Sequence, residues 1–284
     1  MVKKLMRESR ESSGGNRRDR RPEYREVRRE RPALPERDEA LDECLIEGRN
    51  AVTEALKSGR CINKVFLAEG STDHGLTRLA SMAKEAGAVI STVDRRKLDT
   101  MSPTGAHQGV IAMAAAHTYA TIEDMLQRAA DRGEAPLLIL CDELSDPHNL
   151  GAIIRTGECA GAHGVVIPKR RAVGLTAVVA KASAGALEYM PVARVSNMTQ
   201  TIQELKEKGI WVFGTAADGV TPLHQTDLKG PTAIVIGSEG DGMGRLVAES
   251  CDFKVSIPMK GEISSLNASA AAAILLYEAV RQRG

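Results

Sequence analysis

The chain has 284 residues, 43% hydrophobic and 26% charged, with a net charge of only +1, which is a globular composition on a length that exceeds the usual single domain and points to two. Aromatic residues make up 3%, so the cores must be built from Ala, Val, Ile and Leu, which favours helices packed on sheets over an aromatic-rich β-sandwich. Five cysteines, Cys44, Cys61, Cys141, Cys159 and Cys251, form an odd set without a CxxC pair, which argues against a disulfide framework or a zinc knuckle, and no apolar run approaches the roughly 18 residues of a membrane span, so a soluble, cytoplasmic protein is expected.

In chain order, residues 1–41 are polar, hold three prolines and carry 13 Lys plus Arg against 9 Asp plus Glu. Without an apolar period this segment is expected to be disordered in isolation. It reads either as a basic arm that follows a nucleic-acid backbone or as a solvated polyampholytic tail.

From Leu45 the pattern changes. Residues 42–116 read as a small α/β domain: a helix in GRNAVTEALKSG (48–59), a strand in KVFLAE (64–69), a helix near Leu76 to Ala86, a strand in AVISTV (88–93) and, after HQG at 107–109, the apolar run VIAMAAA. HTYATIEDMLQRAADRGEAP, 117–136, predicts a connecting helix that ends in Gly and Pro. Residues 137–284 form the larger unit, in which the short apolar runs LLILCD, GVVIP, WVFGTA, AIVIGSEG and FKVSIP alternate with helical stretches or loops. Buried strands spaced in this way imply a mainly parallel sheet covered on both faces.

Three clusters fall where strands end and loops begin, the edge at which open α/β sheets place ligands. In DELSDPHNLGAIIRTGECAGAHG (142–164) a strand runs into a helix for which Asn149 is a suitable N-cap, and Arg155 borders the apolar face, free either to pair at the surface or to project into a cleft. In IVIGSEGDGM (234–243) the glycines match neither GxGxxG nor GxxxxGK, so neither a dinucleotide nor a P-loop site is supported. What remains is a flexible turn that carries Glu239 and lets a ligand approach the main chain. In GEISSLNASAAAAILLYEAV (261–280), Ser264, Ser265, Asn267 and Ser269 are all capping residue types, and the alanines promote helix and permit close approach of another backbone.

Joint occurrence and order give these clusters their weight. DPHNLGAIIRT, IGSEGDGM and IPMKGEISSLNASAAAAI resemble the three motifs of the SpoU/TrmH (SPOUT) family of RNA ribose 2'-O-methyltransferases, over about 145 residues of the C-terminal unit. GRNAV near 48 and HQGV near 107 resemble the small RNA-binding domain of the RlmB-like 23S rRNA subgroup.

The resemblance implies a C-terminal trefoil-knotted SPOUT domain, a homodimer and S-adenosyl-L-methionine as cofactor, with no metal. It implies that main-chain groups of Gly237, Ile257 and Leu266 hold the cofactor, and that Asn149, Arg155, Glu239, Ser265 and Asn267 form the polar catalytic set. The implied reaction is 2'-O-methylation of RNA, most fittingly of a guanosine in 23S rRNA. Arg155 is expected to stabilise the developing alkoxide and hold a neighbouring phosphate rather than to take the proton. Two alternatives stand beside this reading: the same chemistry on tRNA, and a non-catalytic RNA-binding assembly factor.

Overall fold

The computed structural model describes residues 44–70, 73–217 and 219–284; the basic segment 1–41 lies outside them. Two sheets organise the described chain. The first has the strand order β1-β4-β2-β3, with β1 Leu45–Glu47, β2 Ile62–Ala68, β3 Val89–Val93 and β4 Val110–Ala114. Strands β2 and β3 run parallel, and β4 runs antiparallel to both β1 and β2. Helices α1 Arg49–Lys57 and α2 His74–Glu85 cover one face through Val52, Leu56, Leu76 and Leu79, and α3 Arg95–Met101 seals the other with the fully buried Leu98.

Helix α4, Ile122–Arg132, opens with a capping box between Thr121 and Asp124 and closes at Gly133 in the left-handed region. It packs on the second sheet, where Met125 is fully buried over Gly164 and occupies the space a side chain at that position would need.

The second sheet has the order β7-β6-β5-β10-β8-β11-β9, formed by β5 Leu137–Cys141, β6 Gly164–Pro168, β7 Val192–Val195, β8 Trp211–Thr215, β9 Thr221–Pro222, β10 Thr232–Ile236 and β11 Phe253–Ser256. All its strand pairings are parallel. Every residue of β5 and β10 is buried, and side-chain alternation sends Leu137, Ile139 and Cys141 to one face and Leu138 and Leu140 to the other. Against the first face lie α5 Pro147–Cys159, α6 Ala177–Ala182 and α9 Ala268–Arg283. Against the second lie α4, α7 Met198–Glu207 and α8 Arg245–Ser250. Leu150, Ile153 and Ile154 of α5 are fully buried, each worth roughly 1.5–3 kcal/mol of transfer free energy, and they fix the helix that carries the first motif.

The sheet explains two small-residue positions. Gly151 of α5 faces the Ala182 side chain and the Val179 carbonyl of α6 with no room for a Cβ, so these two helices meet at backbone distance, and Gly157 leaves space for the tip of the Ile139 side chain.

Candidate active site

Parallel strands deliver all their C-terminal ends to one edge, and β5 and β10 are neighbours there, with Cys141 opposite Ile236. Asp142, the residue after β5, donates its N–H to the Ile236 carbonyl at 2.8 Å and accepts the Gly244 N–H on Oδ2 at 2.8 Å. That carboxylate is buried, and burial raises its pKa above the usual aspartate range, offset in part by the Gly244 hydrogen bond. It pins the far end of the glycine-rich turn that begins at Gly237.

The turn closes on itself. Ser238 and Gly242 exchange main-chain hydrogen bonds at 2.9 and 3.1 Å, and Ser238 Oγ donates to the Gly242 carbonyl at 3.1 Å. Gly240 and Gly242 have φ of 97° and 69°, the left-handed region that glycine enters without steric cost. Gly237 packs against the main chain of Gly242 and Met243 so closely that a Cβ there would collide with it.

Side chains of all three motifs meet above this turn. Asn149 donates through Nδ2 to Glu239 Oε1 at 2.5 Å. Asn267 donates through Nδ2 to Asn149 Oδ1 at 2.9 Å and to Glu239 Oε1 at 2.5 Å. The Asn267 Oδ1 atom accepts from the N–H groups of Ser269 and Ala270 and from Ser269 Oγ, capping α9. One asparagine therefore ties the start of the last helix to both other motifs. A carboxylate that receives two amide donors is held in one orientation, and its Oε2 atom has no hydrogen-bond partner among the described residues.

This cluster borders an open cleft of about 710 Å³, walled by Thr215–Ala217 at the end of β8, by Ser238–Met243, by Ala248 and Lys254, and by Ser265–Ala268. A shallower cavity of about 130 Å³ adjoins it, shares Ser265 and Leu266, and adds Ile257 and Met259. The S-adenosylmethionine implied by the resemblance fits these residues. The volume lies in the range of small-molecule sites, roughly 300–1,000 Å³. The wall is mostly backbone and small side chains, and among the described residues nothing pairs with the main-chain N–H and C=O of Leu266, which leaves a donor and an acceptor for a purine edge. Glu239 and Asp241 against the single lining cation Lys254 give the cleft an acidic balance suited to a sulfonium.

The sequence-predicted residues separate into two groups. Asn149, Glu239 and Asn267 are joined, Ser265 and Leu266 line the cleft beside them, Ile257 lines the adjoining cavity, and Gly237 starts the turn. Arg155 is set apart: it is exposed on α5, outside the cleft wall, with no hydrogen bond or ion pair among the described residues. Asn149 is not the helix N-cap expected from the sequence. Asp146 caps α5 by accepting the His148 N–H at 2.9 Å, and Pro147 stands at the first helical position. Asn149 lies one turn in, 5% exposed, and this placement frees its side chain for Glu239. Asp142 and the Thr215–Ala217 wall went unread. Only an acid directly after an apolar strand signals the first, and the second contributes backbone, which leaves no side-chain signature.

The GRN and HQG motifs also meet. Arg49 donates its N–H to Gln108 Oε1 and its Nε–H to the Gln108 carbonyl, both at 3.1 Å, and pairs through Nη1 with Asp73 at 2.5 Å. His107 is buried and accepts the Gly109 N–H on Nδ1, which leaves Nε2 to donate to Asp99 at 2.9 Å. These side chains shape the loops of the first sheet.

Comparison with known proteins agrees with this geometry. Residues 136–277 match the SpoU rRNA Methylase family, and residues 45–120 match the RNA 2'-O ribose methyltransferase substrate binding family. The chain is 52% identical over 236 residues, 83% of its length and 94% of the relative's, to the Bacillus subtilis protein YacO, named as a TrmH family tRNA/rRNA methyltransferase. A Staphylococcus haemolyticus protein named to the same family is 46% identical, covering 86% of this chain and 97% of its own. The crystal structure of the SpoU methyltransferase AviRb from Streptomyces viridochromogenes, solved in complex with the cofactor AdoMet, superposes with a TM-score of 0.54 at 26% identity, covering 84% of this chain and 89% of that one. Three motifs joined by one asparagine, a backbone-walled cleft and these likenesses place the chain in the SpoU/TrmH family of S-adenosylmethionine-dependent RNA ribose 2'-O-methyltransferases.

Proposed function

We propose that this RNA methyltransferase acts on a guanosine of 23S rRNA, as a homodimer, with Asn149, Arg155, Glu239, Ser265 and Asn267 as its catalytic set and main-chain groups of Gly237, Ile257 and Leu266 holding the cofactor. The observation that carries the site is the Asn149–Glu239–Asn267 cluster at the cleft mouth. The choice of rRNA rests on the match of the N-terminal residues to a substrate-binding domain and of the C-terminal residues to an rRNA methylase family.

Bound S-adenosylmethionine supplies an electrophilic methyl group. As the ribose oxygen takes the methyl carbon, the carbon–sulfur bond breaks and the 2'-hydroxyl proton leaves to water or to a phosphate oxygen. The chain's task is alignment, which in the best model systems supplies roughly 7–11 kcal/mol. In this reading Asn267 and Glu239 keep the cleft mouth in register, Ser265 on the cleft wall orients the acceptor ribose, and the Arg155 guanidinium of a second copy offers positive charge to the developing alkoxide.

The setting of Arg155 supports the homodimer, because it is exposed and lies outside the cleft lining of its own chain among the described residues. Beside α5, helix α9 presents Ile274 and Tyr277, 42% and 51% exposed, an apolar surface fit for a second copy. Light scattering should return twice the chain mass, and a monomer that retains full activity would contradict this. The same reading carries the trefoil knot. Its support is that the main chain at Gly219 lies against Val255 and Ser256 too closely for a side chain, and an experimental main-chain trace without a threaded C-terminal segment would contradict it.

Transfer of tritiated methyl from S-adenosylmethionine to unmodified 23S rRNA and to tRNA transcripts, assayed in parallel, tests the substrate. Label in 23S rRNA alone is expected; label in tRNA alone, or RNA binding without label, would contradict the assignment.

A further inference from the structure

Among the described residues, a group of cations without carboxylate partners lies away from the cleft, where the two sheets meet. A groove of about 290 Å³ runs between them, with Lys64 of β2 on one wall and Lys169 and Arg170, which follow β6, on the other. Among the described residues none of these three has a carboxylate partner; Lys64 Nζ sits 4.7 Å from the centroid of the Phe66 ring. Arg171, next in sequence, is held by Glu143 at 3.1 Å. Both residues have left-handed φ, 58° and 53°, and their loops are further joined by the Val173 N–H to the Leu144 carbonyl at 2.9 Å.

The groove has a rigid floor. Arg194 of β7 reaches across to the first sheet. There its guanidinium donates to the carbonyls of Ile62, Asn63 and Gly87, to Asn63 Oδ1 at 2.9 Å, and lies 4.7 Å from the Tyr119 ring centroid. Tyr119 donates its hydroxyl to Asn63 Oδ1 and accepts the Leu175 N–H, while Asn63 Nδ2 donates to the Leu175 carbonyl at 3.1 Å. Arg194 uses both terminal nitrogens on the first sheet, whereas Lys64, Lys169 and Arg170 have no carboxylate partner among the described residues. A groove lined by charge of one sign focuses a positive potential that attracts a polyanion.

Position supplies the rest. β6 is next to β5, and β5 is next to β10, so the loop after β6 stands at the same sheet edge as the Glu239 turn, two strand spacings or roughly 10 Å away. An RNA strand lying along that edge passes the groove within a few nucleotides of the reacting ribose.

We propose that Lys64, Lys169 and Arg170 form a phosphate-binding track for the RNA substrate, continuous across both domains, which sets how far the modified nucleotide stands from the clamped junction. The inference rests on RNA being the substrate and not on which RNA it is. Contacts of this kind position the strand without reading its sequence.

The test is fluorescence anisotropy with the full-length protein, using an unmodified 23S rRNA fragment and a tRNA transcript, titrated with potassium chloride. Each phosphate contact on single-stranded RNA contributes about 0.7 to the slope of log K against log salt. The double variant Lys169→Ala/Arg170→Ala should therefore flatten that slope by about 1.4, raise the KM for RNA, and leave S-adenosylmethionine affinity and kcat at saturating RNA unchanged. Lys64→Ala alone, on the opposite wall, should flatten it by about 0.7 and keeps the test decisive if the double variant folds poorly. Wild-type slopes in well-folded variants would overturn the proposal. If neither RNA accepts a methyl group, the rRNA assignment fails, while the slopes still decide whether the groove holds phosphate.

Discussion

Asn267 holds two roles in one side chain, and two substitutions separate them. Its Oδ1 caps α9, while its Nδ2 bridges to Asn149 and Glu239. Asn267→Ala removes both. A lost N-cap costs about 1 kcal/mol, and leaving the Oδ1 atom of the buried Asn149 unpaired costs about 1–3 kcal/mol more, so the sum is about 2–4 kcal/mol of unfolding free energy. The Glu239 partner is exposed, and its share is small by comparison. Asn267→Ser keeps a capping hydroxyl but cannot reach across, so it should recover only the cap and stand about 1 kcal/mol above the alanine variant. Urea unfolding at fixed protein concentration measures the stability difference, and isothermal titration with S-adenosylmethionine together with single-turnover methyl transfer measures function. Both variants should lose transfer rate to the same extent, because the Asn267 amide that ties Glu239 and Asn149 to the last helix is gone from each. If Asn267→Ser transferred methyl at the wild-type rate while Asn267→Ala did not, the cap alone would explain the residue and the reasoning from the three-motif bridge would be wrong.

Arg155→Ala should bind S-adenosylmethionine normally yet lose about 100-fold or more in turnover, the scale of removing one preorganised donor; near-normal turnover would remove Arg155 from the chemistry. Gly237→Ala should fold but lose at least about 10-fold in cofactor affinity by titration, since a Cβ there displaces Gly242 and Met243 from the turn; unchanged affinity would show that the turn does not shape the cofactor site. Asp142→Asn keeps an acceptor for the Gly244 N–H and removes a charge whose burial is unfavourable. Because the folded-state pKa of Asp142 is raised, the wild type binds more protons folded than unfolded and loses stability as pH rises from the ordinary aspartate range through the raised value. The variant's stability advantage should therefore grow over that window and stay constant above it. A variant less stable than wild type at neutral pH would show that the charged hydrogen bond outweighs desolvation.

Much of this architecture was legible because buried parallel strands are written as continuous apolar runs. LLILC and TAIVI admit little else once helices alternate with them. Shorter elements escaped for physical reasons. β7 is four residues, VARV, too few to show a period, and α6, AVVAKA, reads equally as strand or helix until Gly151 packs against it. The assignment of Asn149 as a cap overlooked a nearer signal, since Asp146 followed by Pro147 is itself a helix start. Local reasoning fits one residue to one cap, whereas the structure uses Asp146 for that task and turns Asn149 inward to a partner 90 residues away. The Arg194 clamp had no local trace at all, because its acceptors lie 107 to 132 positions earlier in the chain.

The central claim is that the joined motifs direct a methyl group to a ribose oxygen. Unmodified RNA incubated with the protein and S-adenosylmethionine bearing a deuterated methyl, then digested to nucleosides and analysed by mass spectrometry, tests it most directly. The deuterated methyl should appear on the ribose fragment of a nucleoside and be absent with Asn267→Ala; a label on a base, or no label from a protein that binds both RNA and cofactor, would contradict the claim.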